Sequence, residues 1–436
     1  MIAAESLAER LADLGDIGVG PEGVRRLSWT GEDAATRAWF ERQAAGAGLS
    51  VARDPAGNLW ACPDHDLPWW GVGSHLDSVR GGGRFDGPLG VACAFEIATA
   101  AAPAVAAGDA PPVAVVSFAD EEGARFNTPT FGSKALAGRL DLPAVLSRRD
   151  DAGVALSDAM RAAGVDPDGI AAAPGWLEKL AGFVEVHIDQ TTDLAAAGSP
   201  VGIVTALAAR TRLEVLLRGR ADHAGTTPRG ERRDALAAAA RLIVAAEDLA
   251  AEDPSLTVTT SRILARPNAP TTIASEVRLW IDARAPRGFA AIDAWRARLD
   301  ALVRDVGLRT GVGIEVGVAS RSDAREFSPA LRCSLARASE NVVGRPVPEV
   351  VCFAGHDAGV LAERVPAAML LVRNHTGVSH SPDEDVDLAD AAVAARVVET
   401  ALTSAGGAGL SEGGVGSSAG GMGSSEGGAG SSEGGP

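Results

Sequence analysis

The residues best placed to do chemistry lie in Gly73-Ser-His-Leu-Asp-Ser-Val-Arg-Gly-Gly-Gly-Arg-Phe-Asp-Gly87. His75 and Asp77 are two positions apart, and Asp86 follows eleven residues after His75 in a glycine-rich loop. Imidazole with carboxylate suits a borderline divalent metal such as zinc. Taken alone, the stretch reads equally as a solvated polar turn after a buried strand. Asp120-Glu121-Glu122-Gly123 is a second such place. Adjacent carboxylates repel unless a cation or a proton sits between them. A dinuclear metal site resolves that repulsion, one glutamate binding metal and the other holding the proton of an attacking water. In isolation, a solvated acidic turn explains it as well.

The chain has seven histidines. His187 lies in Val184-Glu-Val-His-Ile-Asp-Gln190, whose alternation turns Glu185 and His187 to one side; a satisfied core histidine would look the same. His380, in Gly377-Val-Ser-His-Ser-Pro-Asp-Glu384, sits in a polar loop just past the apolar run Ala367–Val372, a position that favours function over filling. His223 falls in Gly219-Arg-Ala-Asp-His-Ala-Gly-Thr-Thr-Pro228. It could donate to a developing oxyanion, or simply sit in a turn that starts a helix. His356 and Asp357 follow Cys352-Phe-Ala-Gly355 and could back other ligands. His65 and His375 have no informative setting.

Elements must position these groups. Glu32–Ala47 reads as a helix. Trp69–Gly73, Val113–Ala119 and Phe183–His187 are strand-length apolar runs that each end at a polar residue of interest, with helical patterns such as Gly90–Ala101 between them. Strands alternating with helices predict an α/β sheet, and ligands at strand ends fit the rule that such sheets build sites beyond their carboxyl edges. Between about Leu207 and Arg321 the texture changes to strand 212–218, helix 234–249, strands 256–260 and 276–282, helix 290–306 and strand 314–318. That order, βαββαβ, predicts a ferredoxin-like α+β unit. The expected organisation is a catalytic domain over 1–206 and 323–403 with a mixed, largely parallel sheet flanked by helices. An inserted lid or dimerisation domain occupies 207–322, and a disordered Gly/Ser-rich tail 404–436.

At 436 residues, with 46% hydrophobic and 22% charged residues, the chain has the composition of a globular protein of two domains. A net charge of -17 argues against a nucleic-acid partner. No uninterrupted apolar run approaches membrane-spanning length, and the N-terminus lacks a signal-peptide pattern. Four cysteines with no C-x-x-C predict free thiols and a cytoplasmic location. Arg80-Gly-Gly-Gly-Arg84 lacks the G-K-[ST] of a phosphate loop.

These segments, in this order and spacing, resemble the M20 metallopeptidase-like amidohydrolases, in the branch of N-carbamoyl-L-amino acid hydrolase, β-ureidopropionase and allantoate amidohydrolase. The resemblance covers nearly all of the chain except the tail. It implies two divalent metal ions, zinc first with manganese, cobalt or nickel as alternatives. His75, Asp86 and His187 would hold one ion, and Asp86, Glu122 and His380 the other. Asp77 would orient His75, Glu121 would act as general base, and His223 would stabilise the oxyanion from the partner subunit of a homodimer. The bond after Asp86 is expected to be cis. The substrate would be a small molecule with a carboxylate, gripped by Arg284 of the Asp282-Ala-Arg284 motif, with Gln190, Thr271 and His356 beside it. The chain departs from the family pattern at Thr271 (usually Asn), Thr191 (usually Gly), Arg229 (usually Met) and Arg373-Asn374 (usually Pro-Ser). Arg373 is expected either to meet a second anionic group on an acidic substrate or to be a surface arginine. Other readings are an N-formyl or N-acyl amino acid hydrolase, an M20 dipeptidase, and a metal-free M20-like binding protein.

Overall fold

The valine-rich runs pair edge to edge. The computed structural model describes residues 2–404. After a two-residue pairing of Val19–Gly20 with Gly23–Val24, six strands enter the larger sheet: β1 (Ser50–Arg53), β2 (Leu59–Cys62), β3 (Trp69–His75), β4 (Val113–Phe118), β5 (Leu180–Ile188) and β6 (Val201–Leu207). The next four, β7 (Ala209–Arg218), β8 (Thr257–Arg266), β9 (Glu276–Ala285) and β10 (Gly313–Ser322), form a separate sheet. The chain then returns to the first sheet with β11 (Arg325–Glu326), β12 (Glu349–Cys352) and β13 (Ala367–Val372). The larger sheet runs β11-β6-β13-β5-β3-β4-β2-β1, with β12 also against β6. Its centre, β13-β5-β3-β4, is parallel throughout. These four strands are buried along almost their whole length. Strands covered on both faces read as continuous apolar runs rather than alternations, and the expected α/β class is the one observed.

The helices that bear on the sheets and the site are α1 (Ala4–Gly15), α2 (Gly31–Gly46), α3 (Pro88–Ala107), α4 (Phe131–Leu136), α5 (Ala235–Ala251), α6 (Ala290–Thr310), α7 (Pro329–Val343), α8 (Asp357–Leu361) and α9 (Leu388–Ser404). One core joins α1, α2, α3, α7 and α9 to the sheet through residues such as Phe40, Phe95, Val184 and Leu370. A second, on the opposite face, gathers Trp60, Phe118, Phe131, Phe183 and Met369.

Helix α3 is long and apolar enough, by length and composition, to cross a membrane, although Glu96 and Thr99 interrupt its apolar run. Its first half is buried against the sheet, and Glu96 accepts hydrogen bonds from Ser6 Oγ at 2.6 Å and Arg10 Nε at 2.5 Å. It is a core helix. Its start also matters. Gly87 turns the chain with φ 84°, and a Cβ there would lie 2.4 Å from His75 Cε1. Only glycine lets the helix begin against that ring. The Asp86–Gly87 peptide is trans, contrary to expectation, since the cis bonds are Leu67–Pro68 and Arg266–Pro267; Gly87's positive φ makes the turn.

The second sheet runs β8-β9-β7-β10 and is antiparallel throughout. With α5 after β7 and α6 after β9, its order is βαββαβ. Burial alternates along β7 and β9, so one face packs on α5 and α6 through Leu213, Val215, Leu242 and Trp295 while the other stays polar. Asp234 caps α5, accepting from Leu236 N and Ala237 N at 3.0 Å each. The expected tail lies outside the described residues, apart from Ser404.

Helix α3 presses on β5 at Gly90, where a Cβ would fall 2.1 Å from the Val186 carbonyl oxygen. Gly90→Ala should therefore force the helix away and cost about 1–3 kcal/mol. Chemical denaturation would show this as a lowered midpoint; an unchanged midpoint would mean that the helix yields freely.

Candidate metal centre and active site

The parallel strands end together. His75 closes β3 opposite Phe118 of β4, and His187 of β5 lies opposite Leu371 of β13. Asp120-Glu121-Glu122 leaves β4, Asp189-Gln190 leaves β5, and the loop carrying His380 leaves β13. All five expected metal ligands thus converge beyond one sheet edge. The ligand atoms of His75, Asp86 and His187 lie within 4.8 Å of one another, as do those of Asp86, Glu122 and His380, so the two groups share Asp86.

Hydrogen bonding fixes which atoms are free. His75 Nδ1 donates to the Asp77 carbonyl at 3.1 Å, and His187 Nδ1 to the Ile188 carbonyl at 2.9 Å. A carbonyl only accepts, so both protons sit on Nδ1 and both Nε2 lone pairs point inward. They meet Asp86 Oδ1 at 3.4 Å and 3.3 Å, and His187 Nε2 is buried without a hydrogen-bond partner. His380 Nε2 stands 3.4 Å from Glu122 Oε1 and 3.6 Å from Asp86 Oδ2. With these rings neutral, the converging lone pairs offer a cation site, and two imidazoles with carboxylates suit a borderline divalent ion.

Asp77 needs a correction. Its backbone carbonyl, not its carboxylate, orients His75. The carboxylate is 3.7 Å from His75 Nδ1 and instead accepts from Glu121 N and Glu122 N at 3.1 Å each. Asp77 thereby fixes the acidic turn from below, while Phe131 N and Gly132 N at the start of α4 hold the carbonyls of Asp120 and Ala119. Glu121 Oε2 lies 3.8 Å from His75 Nε2.

Electrostatics follow from burial. Burial first, then Asp357 and Glu122, pushes the Glu121 carboxyl well above its ordinary range. Burial and Asp86 push Glu122 up to about 8. Asp86 is the exception: burial would raise it, but His187 and His75 outweigh burial and hold it well below the usual range. Burial opposes charge on both imidazoles, yet the surrounding carboxylates raise His75 and His187.

The remaining expected residues divide. Gln190 is at the centre: its Nε2 donates to Asp86 Oδ2 at 2.9 Å and to Ser379 Oγ at 3.1 Å. His356 is buried with its ring 4.3 Å from that of His187, neither nitrogen bonded, and forms a third group with Glu185 and His187. Arg284 lines a cavity of about 400 Å³ that Gln190 also lines. It donates through Nε to Asp282 Oδ1 at 2.7 Å and through Nη1 to the Phe353 carbonyl. His223 and Thr271 are not brought to this cluster; both are exposed at a corner of the second sheet. His223 Nδ1 accepts from Gly225 N and Thr226 N at 3.0 Å each, which leaves Nε2–H as an outward donor. Arg373 is a correction: its Nε donates to Asp390 Oδ2 at 2.7 Å, and it does not line the cavity. A helical aspartate seventeen residues on takes its charge.

Sequence reasoning missed three residues. Ser379 Oγ donates to Asp86 Oδ2 at 2.8 Å. Glu384 Oε1 accepts from Phe85 N at 2.7 Å and Asp86 N at 2.9 Å. Arg212 pairs with Asp282 in the cavity wall. The first two lie in the quoted His380 segment, and a polar loop of such density was itself the available signal.

The sequence pattern of peptidase family M20/M25/M40 matches residues 71–404. An N-carbamoyl-L-amino acid amidohydrolase of Geobacillus stearothermophilus is 37% identical, over 91% of this chain and 97% of that protein. The allantoate amidohydrolase of Escherichia coli K12 is 30% identical, over 89% and 94% respectively. The crystal structure of an amidase of the hydantoinase/carbamoylase family from Burkholderia vietnamiensis superposes with a TM-score of 0.82 at 29% identity, covering 92% of this chain and 97% of that one.

The buried groups predict a pH response. Between pH 6.5, the ordinary histidine value, and about 8, where Glu122 titrates, the folded protein free of cations holds more protons than the unfolded chain. Its stability must therefore fall as pH rises through that window. His356, pushed down by burial, acts oppositely only below 6.5, and Lys134, lowered to about 8 by burial, only above that pH. The melting temperature of metal-stripped protein should drop from pH 6.5 to 8, and a divalent cation should reverse the drop with proton release, read as buffer-dependent heat. A melting temperature that rises across the window would refute the assignment.

Proposed function

The chain belongs to peptidase family M20/M25/M40 and is a hydrolase of amide C–N bonds, and from there we propose a two-metal amidohydrolase that cleaves a small N-carbamoyl or related N-acyl amino acid. The observation carrying this reading is the pair of ligand groups sharing Asp86, with Glu121 beside them and an arginine-lined cavity adjoining. His75, Asp86 and His187 would hold one divalent ion and Asp86, Glu122 and His380 the other. Zinc suits the donors, and manganese, cobalt and nickel accept the same set. When bound, the ions acidify water and polarise the scissile carbonyl.

The chain's own residues supply the rest. Arg284 is pre-aimed by Asp282 and Phe353, which take Nε and Nη1, and keeps Nη2 for a charge-assisted hydrogen bond to a substrate carboxylate. Gln190 reaches both Asp86 and the cavity. Glu121, whose high pKa favours taking up a proton, accepts one from the attacking water and returns it to the leaving nitrogen. His223 offers Nε2–H to the oxyanion from a second copy, because within one chain it faces outward. A homodimer is supported by β8, which ends the smaller sheet with one unpaired edge and exposes Ile263 and Leu264. Buried Cys62, Cys93 and Cys352, none in a disulfide, are in keeping with a cytoplasmic setting. Among substrates, N-carbamoyl amino acids and allantoate come first, given the two relatives above; N-formyl amino acids and dipeptides are the further candidates.

Metal-reconstituted protein should hydrolyse at least one member of a panel of allantoate, N-carbamoyl and N-formyl amino acids and dipeptides. Glu121→Gln should abolish turnover with metal content retained, and His223→Ala should lower kcat by about 10²–10³. A fully active Glu121→Gln would remove Glu121 as the base. Sedimentation should give a dimer; a monomer that hydrolyses substrate would dismiss the donated histidine.

A further inference from the structure

The shared carboxylate of Asp86 is fixed by two hydrogen bonds to one of its oxygens. Gln190 Nε2 and Ser379 Oγ hold its Oδ2 at 2.9 Å and 2.8 Å. Its backbone is held elsewhere: the amides of Phe85 and Asp86 both donate to one oxygen of Glu384, at 2.7 Å and 2.9 Å. Glu384 is 5% exposed and comes four residues after His380. The seat is shaped for it, since a Cβ on Gly83 would lie 2.4 Å from Glu384 Oε1. A turn closed by Glu384 N donating to the Ser381 carbonyl at 3.1 Å links it to the His380 loop. His380 itself sits at φ 56°, a conformation that a non-glycine residue keeps only when its surroundings impose it. The buried guanidinium of Arg26 lies under the same loops, with Nε on the Leu76 carbonyl at 3.0 Å and neither Nη partnered.

We propose that Glu384 is a positioning residue for the dinuclear centre: it clamps the Asp86 backbone to the His380 loop, so that both ligand groups keep their common carboxylate. Without the clamp, Phe85 and Asp86 lose the acceptor of two buried amides, the loop before Gly87 is free to shift, and His380 loses its anchor. The group containing His380 suffers most, because two of its three residues, Asp86 and His380, are held through this loop pair, while Glu122 alone sits on the turn that Asp77 holds. The group with His75 and His187 keeps two ligands on strand β5 or at the end of β3, which do not depend on Glu384.

The inference rests on the two-ion reading, and the test separates the two. Metal-stripped full-length protein is titrated with zinc by calorimetry, with bound metal counted independently. The wild type should bind two ions. Glu384→Ala should bind one of them about 10–100-fold more weakly, the usual effect of removing a ligand's supporting partner. Glu384→Gln, which keeps a carbonyl acceptor for the two amides, should recover most of that loss, and Glu384→Asp, one methylene too short, should not. Two ions bound with wild-type affinity by Glu384→Ala, whatever its melting temperature, would overturn the proposal while leaving the two-ion centre intact. Should Glu384→Ala fail to fold, the same result for Glu384→Asp would overturn it. A wild type that binds fewer than two ions would refute the two-ion reading itself and this inference with it.

Discussion

The structure depends on mutual repulsion among buried carboxylates. Asp77, Asp86, Asp120, Glu121, Glu185 and Asp357 are all less than a tenth exposed and lie around one strand edge. Two unit charges 4 Å apart repel by about 4 kcal/mol even at an effective dielectric constant of 20. Hydrogen bonds relieve part of this: Asp77 receives two backbone amides, and Glu185 receives Ser74 Oγ and Ala358 N. Asp120 receives none, and burial with Asp77 nearby drives its carboxyl well up. Burial also works against the cationic side chains among these groups, lowering Arg26 to about 10 and Lys134 to about 8, so the charge that offsets the carboxylates is itself held at a cost. Such a cluster is stable only with protons or divalent cations in it, and the geometry selects where they go. Asp86 is the carboxylate that two imidazoles hold well below its usual range, which suits it to the bridging role proposed above.

Holding that cluster explains features of the fold that otherwise look arbitrary. Four parallel strands must end in register, because His75, the acidic turn, His187 and the His380 loop each leave a different strand. Helix α3 must start against His75, hence Gly87, and must lie on β5, hence Gly90. The strands are covered on both faces, so few polar side chains are available along them and the polar groups are pushed to their ends. Stability and chemistry are thus separated along each strand: apolar body, polar terminus.

That separation is why much of the site could be read from the sequence. A strand-length apolar run that stops at His75, Asp120 or the His380 loop marks both an element and a site. The βαββαβ order was legible because alternation and helical periodicity differ sharply over 209–322. What escaped were pairings set by tertiary approach. Glu384 meets Asp86 across 298 residues, and Asp77 meets the amides of Glu121 and Glu122 across 44 and 45; no periodicity encodes either. Arg373 misled for the opposite reason. It replaces an uncharged residue near a ligand loop, which suggests substrate contact, yet Asp390 on α9 satisfies it locally. In a chain so rich in arginine, position in sequence is weak evidence of position in space.

The second sheet carries the same logic in another form. Alternation with period two gives β7 and β9 one face for α5 and α6 and one face for the cavity. Arg212 and Asp282 are directly paired across those strands, as are Arg210 and Arg284, and the polar face presents two guanidiniums held in order by a single carboxylate. Asp282 binds Arg284 through one oxygen and Arg212 through the other. A side chain immobilised before a ligand arrives loses less entropy on binding than a free one. Arg284 is immobilised twice, because its Nη1 also reaches the Phe353 carbonyl, the one side-chain hydrogen bond that joins residues 209–322 to the rest of the described chain. The residue best placed to grip a carboxylate is therefore also the polar link between the sheet that presents it and the sheet that bears the ligand groups. On the proposed function, carboxylate recognition and the seating of one sheet over the other would be bound to a single guanidinium.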